Sequence, residues 1–140
     1  MASIRKEIIV ERSPETTWAA LRDWGGLHES LVPGFVLDTK LDGADRIVSF
    51  ANGAIARERL VDLDEDAMRL SWTIIEGAYA HHNGVAQVFA EGARHSRFVW
   101  IADLLPNELA EPTSAMMETG IQTVKRTLES RPETPPSQPE

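Results

Sequence analysis

The chain has 140 residues, of which 42% are hydrophobic and 26% charged, the size and balance of one ordinary globular core. Its net charge of −8, with 14 scattered Lys and Arg, repels nucleic-acid phosphates and anionic membrane surfaces at long range. The lack of cysteine excludes disulfides, thiolate metal sites and thiol nucleophiles together.

Residues 4–10 predict a strand, with Ile4, Ile8 and Val10 on one face and Arg5, Glu7 and Glu11 on the other; Lys6 and Ile9 break the alternation. Ser13-Pro14-Glu15-Thr16 then opens a helix: serine caps free amides, proline suits the first helical position, and glutamate suits the positive end of the dipole. Trp18, Leu21 and Trp24 follow at three-residue spacing, and Gly25-Gly26 ends the helix. A short helical turn is expected over residues 27–31, stopped by Pro33-Gly34.

From residue 35 to 105 the pattern is strand, turn, strand. Phe35, Leu37, Thr39 and Leu41 alternate with Val36, Asp38, Lys40 and Asp42, and Gly43 breaks the run. Residues 46–50 form a short strand before Asn52-Gly53, a strong hairpin signal. Residues 54–61 follow, then an acidic turn at 62–66, then alternation at Met68, Leu70, Trp72 and Ile74. Beyond Gly77 one strand runs through Val85, Gln87 and Phe89, and the last holds Phe98, Trp100, Ala102 and Leu104. Strands joined by short turns, without intervening helices, predict an antiparallel meander.

The period turns helical over residues 112–129, where Met117, Ile121, Val124 and Leu128 share a face and Thr113 can cap. Gly120 inside this helix costs about 1 kcal/mol against alanine; it marks either a close approach to the sheet or a ligand, or simply a weak spot. Residues 131–140 are rich in proline and are expected to be a disordered tail. No apolar run approaches the ~20 residues of a membrane-spanning helix, and no secretory signal opens the chain; a cytoplasmic location is expected. One long helix cannot cover a large sheet completely, so the sheet should curl around it and leave a hollow.

The chain resembles the START-like, or Bet v 1-like, superfamily (SRPBCC), in particular the bacterial polyketide cyclase/dehydrase group. The resemblance spans roughly residues 3–130. It is carried by Ser13-Pro14-Glu15-x-x-Trp18, by Gly43-x-x-Arg46…Asn52-Gly53…Glu58-Arg59-Leu60-x-x-Leu63-Asp64, by Trp72-Thr73-Ile74 and by Phe98-x-Trp100-x-x-x-x-Leu105-Pro106. It implies an α+β helix-grip fold: a curved antiparallel sheet of about six or seven strands around a long C-terminal helix, with two short helices after the first strand. It also implies a ligand-binding domain over residues 1–130 with a deep cavity for lipids, polyketides or other apolar molecules, which some relatives cyclise or dehydrate. Two positions depart from the pattern. Gly84, after Asn83, and Trp72 stand where relatives often carry tyrosine, which weakens any chemistry that needs a tyrosine acid.

Strand parity selects the residues that could face such a cavity. If Arg46 points inward, Val48 and Phe50 follow; if Glu58 does, Ala54, Ala56 and Leu60 follow. Arg46 and Glu58 read either as a structural ion pair or as polar anchors for a ligand. His28, near the expected mouth, is an acid–base candidate or an ordinary loop histidine. His81 and His82 are strand neighbours pointing to opposite faces, so they cannot chelate one ion, and no HxH or HxxxH spacing exists; no metal is expected. No P-loop, dinucleotide fingerprint or G-x-S-x-G is present, so no cofactor is expected.

The leading expectation is a binding protein holding an apolar or amphipathic small molecule, lipid- or polyketide-like. Phe35, Phe50, Trp72 and Trp100 would be its walls, Met117 and Ile121 its cover, and Arg46, Glu58 and His28 its polar contacts. The alternatives are a polyketide cyclase/dehydratase-type enzyme, with His28, Glu58 or Arg46 moving protons in the same cavity, and a protein-interaction module or regulator.

Overall fold

In the computed structural model, which describes residues 1–133, the expected helix-grip architecture is present. β1 (Ala2–Val10) turns its even-numbered positions inward, so Lys6 does fall on the apolar side, where its ammonium reaches Glu118 at 3.6 Å. α1 (Pro14–Leu21) is capped by Ser13, whose hydroxyl accepts from the Thr16 amide. It ends before Trp24, which sits instead in a 3-10 turn with Gly25 and Gly26; a single π-type turn spans Leu27–Leu31. The stripe of three large residues on one helix is therefore cut to Trp18 and Leu21. The side chain of Leu41 presses on Gly25, where a Cβ would meet it at 2.9 Å.

The strands β2 (Val36–Asp42), β3 (Asp45–Phe50), β4 (Ile55–Asp64), β5 (Arg69–Glu76), β6 (His81–Ala90) and β7 (Ser96–Leu105) follow as a meander. All seven lie in one sheet in the order β1-β7-β6-β5-β4-β3-β2, each neighbour antiparallel. Bulges in β2 and β4 bend the sheet. The β2 bulge at Leu37 breaks the predicted alternation: Val36 is buried and Leu37 exposed, while beyond the bulge Thr39 is buried as predicted and Leu41, opposite Arg46 at the end of the edge strand, is left exposed.

α2 (Ala110–Glu129) starts earlier than predicted, after a 3-10 turn at Asn107–Leu109. Thr113 is thus inside the helix and not its cap. Pro112 is tolerated because the first turn needs no N–H partner. α2 packs chiefly on β1 and less on β7. Val10, Trp18, Leu70, Val88, Phe98 and Ile121 are central to the core beneath it. No helix of the described residues is long and apolar enough to cross a membrane.

Of the predicted tail, residues 134–140 lie outside the described residues, and Arg131 and Glu133 are hydrogen-bonded to the domain. The Arg131 guanidinium donates to the carbonyls of Glu29 and Ser30, at 2.6 and 3.0 Å. The Glu133 carboxylate accepts from Ser13 and Thr16 at the start of α1. Those partners, free backbone carbonyls and helix-start donors, are the physical reason these positions are held.

Candidate functional site

α2 stands chiefly over β1 and α1 packs chiefly on β6, so neither helix packs closely on the inner face of β3, β4 and β5, and a gap remains beneath α2. Small residues there (Ala56, Gly84, Ala86) add no bulk to fill the gap. The result is a cavity of about 250 Å³ between sheet, helix and the 27–36 segment. Its broad walls are Phe35, Phe50, Trp72, Phe98 and Trp100, with the Phe35 and Phe50 rings edge to face at 5.8 Å. Thr113, Met116 and Val124 of α2 form the roof, and Ile55, Ala78 and Tyr79 lie at the rim.

Arg46 and Glu58 are directly opposite each other across β3 and β4 and both line the cavity. Nε and Nη2 of Arg46 each lie 2.8 Å from Glu58 Oε1, and Nη1 donates to the Trp24 carbonyl at 3.2 Å. The guanidinium carbon sits 3.7 Å above the Trp24 ring, a cation–π contact, with Trp72 farther off at 5.7 Å. Both side chains are buried, 4% and 7% exposed. Burial pushes the arginine pKa down from its ordinary value and Glu58 opposes that push; a guanidinium so placed stays charged. Glu58 uses Oε1 for Arg46, and among the described residues no hydrogen bond reaches Oε2.

The cavity's other polar end comes from β6 and the loop before it. Of the two neighbouring histidines, His82 faces inward and lines the cavity, while His81 is exposed. Burial lowers the His82 pKa to about 4, with His81 adding a smaller push in the same direction and Asp103 opposing it. The imidazole is therefore neutral at physiological pH. Its ring lies 4.8 Å from that of Tyr79, and Tyr79 Oη shares a 2.6 Å hydrogen bond with Thr113 Oγ1, tying the β5–β6 loop to α2.

The two departures from the family pattern prove to be one feature. Trp72 and Gly84 are register partners, and the indole lies across the glycine: a Cβ at position 84 would be 2.4 Å from Trp72 Cε2. Glycine is needed there so that tryptophan can lie flat on the sheet. Gly84→Ala should therefore tilt the indole into the cavity and destabilise the protein by about 1–3 kcal/mol, measured by urea denaturation. The same change in a Trp72→Val background should cost far less. Gly120 has a parallel reason, since a Cβ there would meet Trp100 at 2.9 Å and Phe35 at 3.2 Å.

Phe35, Arg46, Phe50, Glu58, Trp72 and Trp100 thus come together around one space. Three other predicted residues do not. Met117 and Ile121 are fully buried and do not line the cavity, because Met116 and Gly120, each turned by about 100° on the helix, face it instead. His28 is also off the cavity wall; it lies in the π-type turn with Nε2 3.3 Å from the Glu29 carboxylate. Tyr79, Thr113 and Met116 were missed, and of the His81–His82 pair, whose opposite facings left the choice open, His82 is the one at the cavity. The helix face could have been found from Gly120, since Thr113, Met116 and Val124 share its side at helical spacing. Among the described residues no cluster of three His, Cys, Asp or Glu that could hold a metal ion is present.

Comparison with known proteins places this geometry in a family. XoxI from Bacillus cereus superposes with a TM-score of 0.81 at 17% identity, covering 91% of this chain and 96% of that one. A START superfamily protein from Mycobacterium smegmatis gives 0.71 at 10% identity, over 91% and 94%. Norcoclaurine synthase from Thalictrum flavum, solved with dopamine and hydroxybenzaldehyde, gives 0.70 at 16% identity, over 95% and 89%. These likenesses establish the shared fold. No curated protein matches in sequence. The sequence profile described as polyketide cyclase / dehydrase and lipid transport matches residues 1–130, and the chain belongs to that family.

Proposed function

We propose that the protein binds an apolar or amphipathic small molecule in the cavity between sheet and helix. The observation that carries this reading is the cavity itself: about 250 Å³, walled by five aromatic side chains and, among the described residues, lined with a single ion pair. A packed interior normally has few voids larger than a water molecule, and aromatic walls with a few convergent polar groups are the usual make-up of a ligand site. The family's description, which spans cyclisation, dehydration and lipid transport, supports the same class of ligand.

A thermal-shift screen of uncharged apolar compounds tests it. A true ligand at about 100 times its Kd adds roughly 2.7 kcal/mol, a rise of several degrees in Tm. Ala86→Leu, which pushes a side chain into the cavity, should remove that rise while leaving a folded protein. Absence of any shift across the screen would sink the reading. A catalytic version rests on one further observation, that Glu58 and neutral His82 face the same space. Turnover of a polyketide-like substrate that survives both Glu58→Gln and His82→Gln would remove it.

A further inference from the structure

The cavity constrains the chemistry of its occupant more tightly than the family does. In size, a cavity of about 150 Å³ holds benzene; the space here, about 250 Å³, suits one or two fused rings better than a long acyl chain. In shape, the walls are built largely of aromatic rings (Phe50, Trp72 and Trp100 among them), which favour a flat aromatic partner. In charge, Arg46 and Glu58 are the only full charges among the described lining residues, and they already answer each other. The arginine therefore has no charge to spare for an anionic head group. The unused group on the pair is Glu58 Oε2, an acceptor. A carboxylate ligand there would meet like charge in a desolvated site, whereas a hydroxyl would donate a charge-assisted hydrogen bond.

We infer that the ligand is a compact, uncharged hydroxylated aromatic whose hydroxyl donates to Glu58 Oε2, so that Glu58 selects against fatty acids and other carboxylates. This rests on the proposed binding function and narrows it to a substrate class.

Isothermal titration at neutral pH with 2-naphthol, naphthalene, 2-naphthoic acid and palmitic acid tests the inference. 2-Naphthol should bind about tenfold or more tighter than naphthalene or 2-naphthoate, and palmitate should give no heat of binding. Glu58→Gln should bring 2-naphthol down toward naphthalene with little effect on naphthalene itself. If that variant does not fold, the ranking of the four compounds on the unaltered protein still decides. Palmitate or 2-naphthoate binding more tightly than 2-naphthol, or naphthalene matching it, would overturn the inference and leave cavity binding standing. Binding by none of the four, together with a flat thermal-shift screen, would overturn both.

Discussion

Glu58→Ala should destabilise the protein by about 3–5 kcal/mol, the usual cost of stranding one partner of a buried ion pair. Arg46 would keep the Trp24 carbonyl and the rings of Trp24 and Trp72, but no charged partner among the described residues, inside a site where its side chain is 4% exposed. Such a loss is a large fraction of the roughly 5–15 kcal/mol that holds a typical domain together. The double change Arg46→Met with Glu58→Leu should be far milder, since replacing both charges by apolar groups of similar volume removes the desolvation cost along with the attraction. Urea denaturation of Arg46→Met, Glu58→Leu and the double variant gives the coupling energy. A cost below about 1 kcal/mol for Glu58→Ala, the range of an exposed pair, would mean that water reaches the guanidinium.

Acid should weaken the fold well above the range in which its carboxylates titrate, and His82 is the reason. Its pKa is lowered from 6.5 to about 4 in the folded chain, chiefly by burial. Well above pH 6.5 the ring is neutral in both states and contributes no pH dependence. Between 6.5 and 4 the unfolded chain binds the proton more readily, so stability falls as pH falls through that window and levels off below it. The full drop is on the order of 3 kcal/mol. His82→Gln should flatten the upper part of the profile. The carboxylates of Asp45, Glu65, Glu129 and Glu133 are held below their ordinary values, so their contribution is lost only at lower pH. An unchanged profile between pH 5 and 6.5 in the His82 variant would assign the effect elsewhere.

The sheet was legible because it obeys local rules. Asn52-Gly53 gave the hairpin, and alternation through Leu70, Trp72 and Ile74 and through Phe98, Trp100 and Ala102 gave the inner face correctly. The cross-strand partnership of Arg46 and Glu58 followed from the same hairpin. What failed depended on geometry that no local pattern encodes. A bulge shifts parity without any residue type announcing it, which is why Leu37 was placed with Phe35 and not with solvent; Leu41 has the inward parity of Thr39 but stands at the exposed end of an edge strand. On α2, hydrophobicity marked Met117 and Ile121 as inward, and so they are, but one helix has two inward neighbours. The most apolar positions pack on the core, and the cavity is left to the adjacent row with the glycine and a threonine. His82 was undecidable until register with β5 placed Gly84 under Trp72.

The position of β1 at the edge next to β7 has a kinetic consequence. The meander from β2 to β7 forms through neighbours in sequence, but β1 must pair Ala2 with Leu104 and Val10 with Ser96, and α2 settles chiefly on β1. Such long loops are costly to close before their contacts reward them. The cavity roof, Thr113 to Val124, therefore arrives with the slowest contacts of the fold. A refolding chain should present an open aromatic trough first and a covered one only afterwards.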